Sequence, residues 1–279
     1  MFLTIFSIFS SIVSATSVYQ TALVFAVSTD DANSATTILQ GYGAPFDLIM
    51  VPQEGIALPT LETMTACNEP VGLYGMIIII SQVAYDYGGD IGFASALNDT
   101  QFDTLYAYQV KYGVRMVQLN QFPSAVPGVD VVPPGGCCAS EEQLVTLTNT
   151  DFIPTAGLKS VGLSTLNLFH TPAVVTNSTG IIPFLSFGTN SQFASETVGG
   201  VVKTYDDGRE EIDFFISGGS WSATSNYLGH IWYTWAYRGL YGGYRRIFFS
   251  TQGVKSLYNS NDSRRFILDD SLTCCLSRL

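Results

Sequence analysis

Charge is scarce in this chain, and histidine is scarcer. Only 13% of the 279 residues are Asp, Glu, Lys or Arg, about half the share of an ordinary soluble domain. The two histidines, His170 and His230, stand sixty residues apart, so a hydrolytic centre that holds a metal on paired imidazoles is not expected. Of the two signs of charge, the positive is the thinner. Twelve Lys plus Arg against 23 Asp plus Glu leave a net charge of −11, which repels phosphate backbones and anionic lipid and removes nucleic acid from the expected partners. No GxGxxG or P-loop cradle is present, and with neither phosphate motif nor metal motif no cofactor is indicated. Internal repeats and low-complexity tracts are also missing.

Cysteine is present but in no metal-ligating pattern. Cys67, Cys137, Cys138, Cys274 and Cys275 make an odd count with two adjacent pairs and no CxxC spacing, against a zinc site. An oxidising compartment allows Cys67 to pair with Cys137 or Cys138, or the adjacent pair to close on itself, and spacing does not choose between these. A membrane span is lacking as well. The uncharged start, with Phe2, Leu3, Ile5, Phe6, Ile8, Phe9, Ile12 and Val13 before Ala15, falls short of the roughly 20 apolar residues a span requires. It fits a signal peptide over residues 1–15. Three N-x-S/T triplets, at Asn98, Asn177 and Asn261, agree with a secreted glycoprotein.

Apolar and aromatic residues are plentiful. Hydrophobic residues make up 47% of the chain, with 26 Gly, 18 Phe and 15 Tyr, enough to bury a large core without metal or staples. The nearly continuous run Thr21–Val27 reads as a strand covered on both faces; Phe46–Val51 reads as a second strand and Gly75–Ser81, with four consecutive isoleucines, as a third. Ser28 to Asp31 supplies a cap for a short helix through Ile38 and Leu39. Phe102, Leu105, Tyr106 and Gln109 recur at helical spacing before Gly113, and Val114–Leu119 is a fourth strand. Strand and helix thus alternate, which predicts an α/β fold of Rossmann-like or amidotransferase-like type, with a mostly parallel sheet and helices on both faces.

The stretch from Gln121 to Thr155 is rich in Pro, Gly and polar residues and reads as an ordered insertion or a linker. An added β-hairpin region follows: Val201–Tyr205 and Arg209–Ile216 flank Asp206-Asp207-Gly208, whose glycine accepts the positive φ of a tight turn. A helix is expected from about Ser225 to Gly239. At about 100° per residue its core face holds Leu228, Ile231, Trp232, Trp235 and Gly239. Asn226, His230, Tyr233 and Tyr237 fall opposite, either packed under a loop with satisfied hydroxyls or turned to a ligand.

Several chemistries can be weighed. Asp30 and Asp31 follow the first strand, where α/β metalloenzymes place a carboxylate, but without clustered imidazoles they read as a helix cap lining a crevice. Gly218-Gly219-Ser220-Trp221-Ser222 resembles a nucleophile elbow with its last glycine replaced, yet no carboxylate lies between Ser220 and His230, so a serine hydrolase is a minor alternative. Ile80 leads into Ser81-Gln82, so the cysteine that amidotransferase-like folds carry after the third strand is absent. What remains is a set of aromatic and small polar residues at predicted strand ends: Tyr85, Asp86 and Tyr87, then Asn120 and Gln121, then Trp221. Open α/β sheets bind ligands there. Sugars suit this set, because their C–H faces stack on Tyr and Trp while hydroxyl and acetamido groups bond to Asp, Asn and Gln. The carboxylate excess favours a partly deacetylated, cationic glycan over an anionic one. The candidate carbohydrate-binding residues are therefore Asp30, Tyr85, Asp86, Tyr87, Asn120, Trp221, His230 and Tyr233. The other reading makes Tyr85, Tyr87 and Trp221 rim and core residues without a ligand.

Several rare strings occur in order: Ser81-Gln82-Val83-Ala84-Tyr85-Asp86-Tyr87-Gly88-Gly89, Leu105-Tyr106-Ala107-Tyr108-Gln109 through Val117, Gly135-Gly136-Cys137-Cys138, Trp221-Ser222-Ala223-Thr224-Ser225-Asn226 and Arg238-Gly239-Leu240-Tyr241-Gly242-Gly243-Tyr244-Arg245-Arg246. Together, from about Thr21 to Gln252, they resemble the N-terminal region of fungal galactosaminogalactan deacetylases, the extracellular serine-rich proteins. The resemblance implies a secreted fungal protein whose N-terminal module binds an amino-sugar polysaccharide ahead of a metal-dependent deacetylase domain. After Thr251-Gln252 this sequence departs from the pattern. Gly253-Val254-Lys255-Ser256-Leu257 stands where the family carries paired aspartates and then metal-binding histidines, and Asp269-Asp270 echoes that pair with no histidine after it. The expected organisation is a carbohydrate-binding α/β module over 19–250 and a divergent tail over 253–279 in place of the catalytic domain. The expected ligand is a galactosaminogalactan-like, chitin or chitosan-like polysaccharide of the extracellular space or cell wall. The alternatives are a structural fragment that docks a deacetylase domain, and a weak hydrolase acting through Ser220 or a carboxylate-bound metal.

Overall fold

The computed structural model describes residues 17–66, 68–132, 141–151, 162–241 and 247–248. The expected signal peptide, all five cysteines, the Asn261 acceptor and the divergent tail lie outside these residues. The first half runs β1 (Ser17–Tyr19), β2 (Ala22–Ala26), α1 (Thr29–Gly41), β3 (Phe46–Met50), β4 (Glu62–Met64), β5 (Pro70–Gly72), β6 (Met76–Ile80), β7 (Ala84–Asp86), β8 (Phe93–Ser95), α2 (Asp99–Tyr112) and β9 (Arg115–Leu119). The second half is mostly strand: β10 (Val129–Val131), β11 (Leu144–Leu147), β12 (Leu163–Ser164), β13 (Ala173–Val175), β14 (Ile181–Phe187), β15 (Thr197–Thr204) and β16 (Glu210–Phe214), then α3 (Ala223–Tyr241) and β17 (Ile247–Phe248).

Burial explains the central strands. All five residues of β2 and all five of β6 are buried, as continuous apolar runs require when helices cover both faces. The main sheet has eleven strands, in the order β12-β11-β14-β15-β16-β9-β6-β2-β3 with β10 and β13 beside that path. From β3 to β16 neighbouring strands pair in parallel; from β16 to β12 they pair antiparallel. The α/β reading holds, and the antiparallel part is much larger than one hairpin. Asp206-Asp207-Gly208 makes the β15–β16 turn, Gly208 taking φ 88°. The stretch read as insertion or linker contributes β10 and β11 to the main sheet.

Local signals set the helix boundaries. The Ser28 hydroxyl accepts from the Asp31 amide at 3.1 Å, capping α1. Asn98 and Gln101 form a reciprocal capping box on α2, which ends at Gly113 with φ 56°, a left-handed stop that glycine adopts without penalty. Strand alternation then sorts the faces. Arg115 and Glu210 point to one side, where Arg115 donates to the Trp235 carbonyl of α3 at 2.6 Å and to Glu210 Oε2 at 2.8 Å. Met116, Gln118, Glu211 and Asp213 point to the other side, toward Phe102 and Tyr106 of α2. From β2 the chain crosses through α1 to β3, whereas from β6 it crosses through α2 to β9 in the opposite direction. The carboxyl ends of β2 and β6 therefore bound a topological switch point, the region where open α/β sheets form ligand crevices.

Candidate functional site

On the α2 side of the sheet, near the carboxyl ends of β6, β9 and β16, lies a cavity of about 420 Å³. Small-ligand sites occupy roughly 300–1,000 Å³. Its floor is polar, although it sits in the middle of a sheet. Asp213 is opposite Gln118 on β9, and Glu211 is opposite Lys203 on β15. Phe102 and Tyr106 from α2 form one wall, and Tyr205 and Arg209 from the β15–β16 hairpin form another. Gln82 and Gln121 close the end nearest the strand termini.

Gln82 is held there by unusual backbone. Ser81, Gln82 and Val83, consecutive and none of them glycine, take φ of 52°, 56° and 45°. Left-handed residues of this kind cost about 1–3 kcal/mol each and cluster at functional sites. Asn120, itself at φ 54°, steadies the turn by donating from Nδ2 to Ser81 Oγ at 2.9 Å.

The hydrogen-bond accounting of the floor does not close. Gln118 Oε1, Gln121 Oε1, Glu211 Oε1 and Asp213 Oδ2 are buried and accept no hydrogen bond. The nearby cations are engaged elsewhere. Arg209 Nε donates to Asp207 Oδ2 at 2.7 Å, and its guanidinium lies between the rings of Tyr106 at 4.0 Å and Tyr205 at 4.2 Å. One of its terminal nitrogens stays 3.7 Å from Glu211 Oε1, too far to donate. Lys203 Nζ donates to the Pro127 carbonyl at 2.6 Å, and Glu211 receives only the Tyr205 hydroxyl, on Oε2 at 2.8 Å. Burial pushes the Asp213 carboxyl well above the usual carboxylate range, with the Glu211 charge adding and Lys203 opposing. Burial raises Glu211 too, against the pull of Tyr205, Arg209 and Lys203. It also lifts Tyr106 to about 12. Two buried carboxyls without full partners cost a fold several kcal/mol.

The residues singled out from sequence fall into two groups. Asp30, Tyr85, Asp86, Tyr87, Asn120 and Trp221 all lie toward the carboxyl edge of the parallel strands. Asp30 is exposed in the first turn of α1. The Tyr85 and Tyr87 hydroxyls donate to the carbonyls of Val51 and Gln53, past the end of β3, and Asp86 Oδ1 accepts from the Gly88 amide. Trp221 is 65% exposed, in the loop whose Gly218 approaches Ser34 of α1. His230 and Tyr233 are not with them. Tyr42, at the far end of α1, stacks on Tyr233 at 3.8 Å and bonds through its hydroxyl to His230 Nδ1. A 13-residue helix separates that cluster from Asp30 by roughly 20 Å. None of the eight lines the cavity; Asn120 precedes Gln121, which does.

Ser220 is exposed before α3, while His230 faces Tyr42. His170 is buried, with its ring nitrogens on the Leu168 carbonyl and Gln143, and burial lowers its pKa. Among the described residues no group of three or more His, Cys, Asp or Glu is placed to hold a metal ion, and no helix is long and apolar enough to cross a membrane. Asn98 and Asn177 are both exposed.

Sequence reasoning missed the cavity floor. Glu211-Ile212-Asp213-Phe214 alternates acid with apolar, the pattern of a strand with one wet face. The available signal was Gln118, a polar residue between the apolar Val117 and Leu119 of β9.

Comparison with known proteins agrees with this architecture. No curated protein matches the chain. The solved structure of Agd3, described as a novel carbohydrate deacetylase, is 43% identical, with a TM-score of 0.74 over 83% of this chain and 34% of that one. The present chain therefore spans about a third of that protein's length. A Thermotoga maritima glutamine amidotransferase is 12% identical with a TM-score of 0.40, covering 70% of this chain and 75% of that one. A ThuA-like protein from Bacteroides uniformis is 15% identical at 0.44, covering 79% and 91%. The family model described as Agd3 CBM87 matches residues 18–235, and the chain belongs to that family, the carbohydrate-binding module of a deacetylase.

Proposed function

We propose that this chain is a secreted module that binds an amino-sugar polysaccharide of the galactosaminogalactan, chitin or chitosan type, with one sugar residue entering the cavity beneath α2. The observation that carries the reading is the set of unpartnered acceptors on Gln118, Gln121, Glu211 and Asp213 beside the rings of Phe102 and Tyr106. A sugar supplies both missing halves, donors for the acceptors and C–H faces for the rings. The polymer would continue along the carboxyl edge past Asp86 and Tyr87 or toward the exposed indole of Trp221. Membership in the Agd3 module family supports the same ligand class. Secretion rests on the N-terminal apolar segment and the exposed Asn98 and Asn177 triplets.

The test is retention of the folded protein on insoluble chitin and chitosan, together with calorimetric titration by soluble oligomers and galactosaminogalactan. Retention on at least one is expected, with Tyr106→Ala weakening affinity by about tenfold and His230→Ala leaving it unchanged. A folded protein that binds none of these glycans sinks the reading.

A further inference from the structure

The cavity's unsatisfied groups also specify which form of the sugar fits. All four unpartnered atoms are acceptors: two amide oxygens, one oxygen of Glu211 and one of Asp213. Their complement must supply donors. A primary ammonium offers three N–H donors and a positive charge; an acetamido group offers one N–H and adds a carbonyl acceptor. Charge points the same way. Facing the floor are Glu211 and Asp213 from β16, Lys203 from β15, Tyr205, Asp207 and Arg209 from the turn, and Tyr106 from α2. Three carboxyls thus face two cations. Arg209 is held by Asp207 and two rings, and Lys203 by a backbone carbonyl.

Resting on the carbohydrate-binding reading above, we propose that the cavity selects a de-N-acetylated hexosamine, taking its protonated amine between the carboxyls of Asp213 and Glu211 with the amide oxygen of Gln118 as a further acceptor. Burial next to Glu211 disfavours a second negative charge and so favours the protonated Asp213 carboxyl. An arriving ammonium reverses that preference. The Asp213 O–H bond breaks, the carboxylate pairs with the ammonium, and the proton leaves to solvent. Recognition of the free amine is thereby coupled to release of a proton, whereas an N-acetylated sugar releases none.

Titration calorimetry at pH 6 tests this, using a glucosamine tetramer and its fully N-acetylated counterpart in two buffers of different ionisation enthalpy. The amine form is expected to bind on the order of tenfold tighter or more, as charge-assisted hydrogen bonds imply, with heats that reveal proton release. Asp213→Asn and Glu211→Gln should each remove the preference, with near-ultraviolet dichroism reporting that the core is intact. If Asp213→Asn does not fold, the wild-type proton release and Glu211→Gln decide the matter. Equal affinity for the two tetramers, or amine binding that is untouched by Glu211→Gln and releases no proton, overturns this proposal while leaving carbohydrate binding in place. Failure of both tetramers, chitin and galactosaminogalactan to bind overturns both readings.

Discussion

At Asp213, burial and charge pull against each other, and the balance shows as pH dependence. In the unfolded chain this carboxyl titrates near its ordinary value of 3.8; in the fold it titrates well above. Between those two values the folded state binds more protons than the unfolded state, so stability is fullest below about pH 4 and declines as pH rises toward the raised value. Asp213→Asn removes the group that must ionise. We expect its melting temperature to exceed that of the wild type by a few degrees at pH 8, since 1 kcal/mol corresponds to roughly 2–4 °C at this size, and the gain to vanish by pH 4. Thermal melts across that range check this, and an equal or lower melting temperature at pH 8 means the local cations already neutralise the site. Nothing in the order of residues distinguishes Asp213 from a solvated acid on a strand, because period-two alternation records that one face differs from the other and not which face is covered. Asp86 and Trp221, by contrast, sit where their position after a strand predicts.

Elements were more legible than sites. The runs that became β2, β6 and β9, the Ser28 cap, the Gly113 stop and the Gly208 turn all act through neighbours a few residues away, which is the range over which sequence pattern speaks directly. The core face expected for α3 is observed at Leu228, Ile231, Trp232 and Trp235, while Tyr237, assigned to the opposite face, is buried as well. Its hydroxyl donates to the Gln20 carbonyl between β1 and β2 at 2.5 Å, so the ring packs under a loop. α3 lies on α1 as well as on the sheet, and at their contact a Cβ on Gly229 would sit 2.4 Å from Cδ1 and Cγ1 of Ile38. Ile38 is only 7% exposed, so it has little room to retreat. Gly229→Ala should cost about 1–3 kcal/mol despite its better helix propensity, read as a lower denaturant midpoint. An unchanged midpoint would show that α1 and α3 slide apart freely. The short strands β10 to β13 escaped notice because their partners, such as β15 for β13, lie far away in the chain.

For the whole molecule, the net charge of −11 makes long-range attraction part of binding to a cationic polymer, and such attraction is screened within about a Debye length. Retention on chitosan should therefore fall steeply as sodium chloride rises from about 50 mM to about 0.5 M, while any retention on uncharged chitin changes little. Salt-independent retention on chitosan would confine recognition to contacts inside the cavity. By itself, the sequence determined the α/β class with its mostly parallel half and, through its rare strings, the resemblance to the carbohydrate-binding module of a deacetylase, because apolar runs, caps and motifs are local facts. Tertiary structure alone decided that β16 runs through the middle of the sheet rather than along its edge. That placement puts α2 over Glu211 and Asp213, and an alternation that would be a wet face on a free hairpin becomes the floor of a buried cavity.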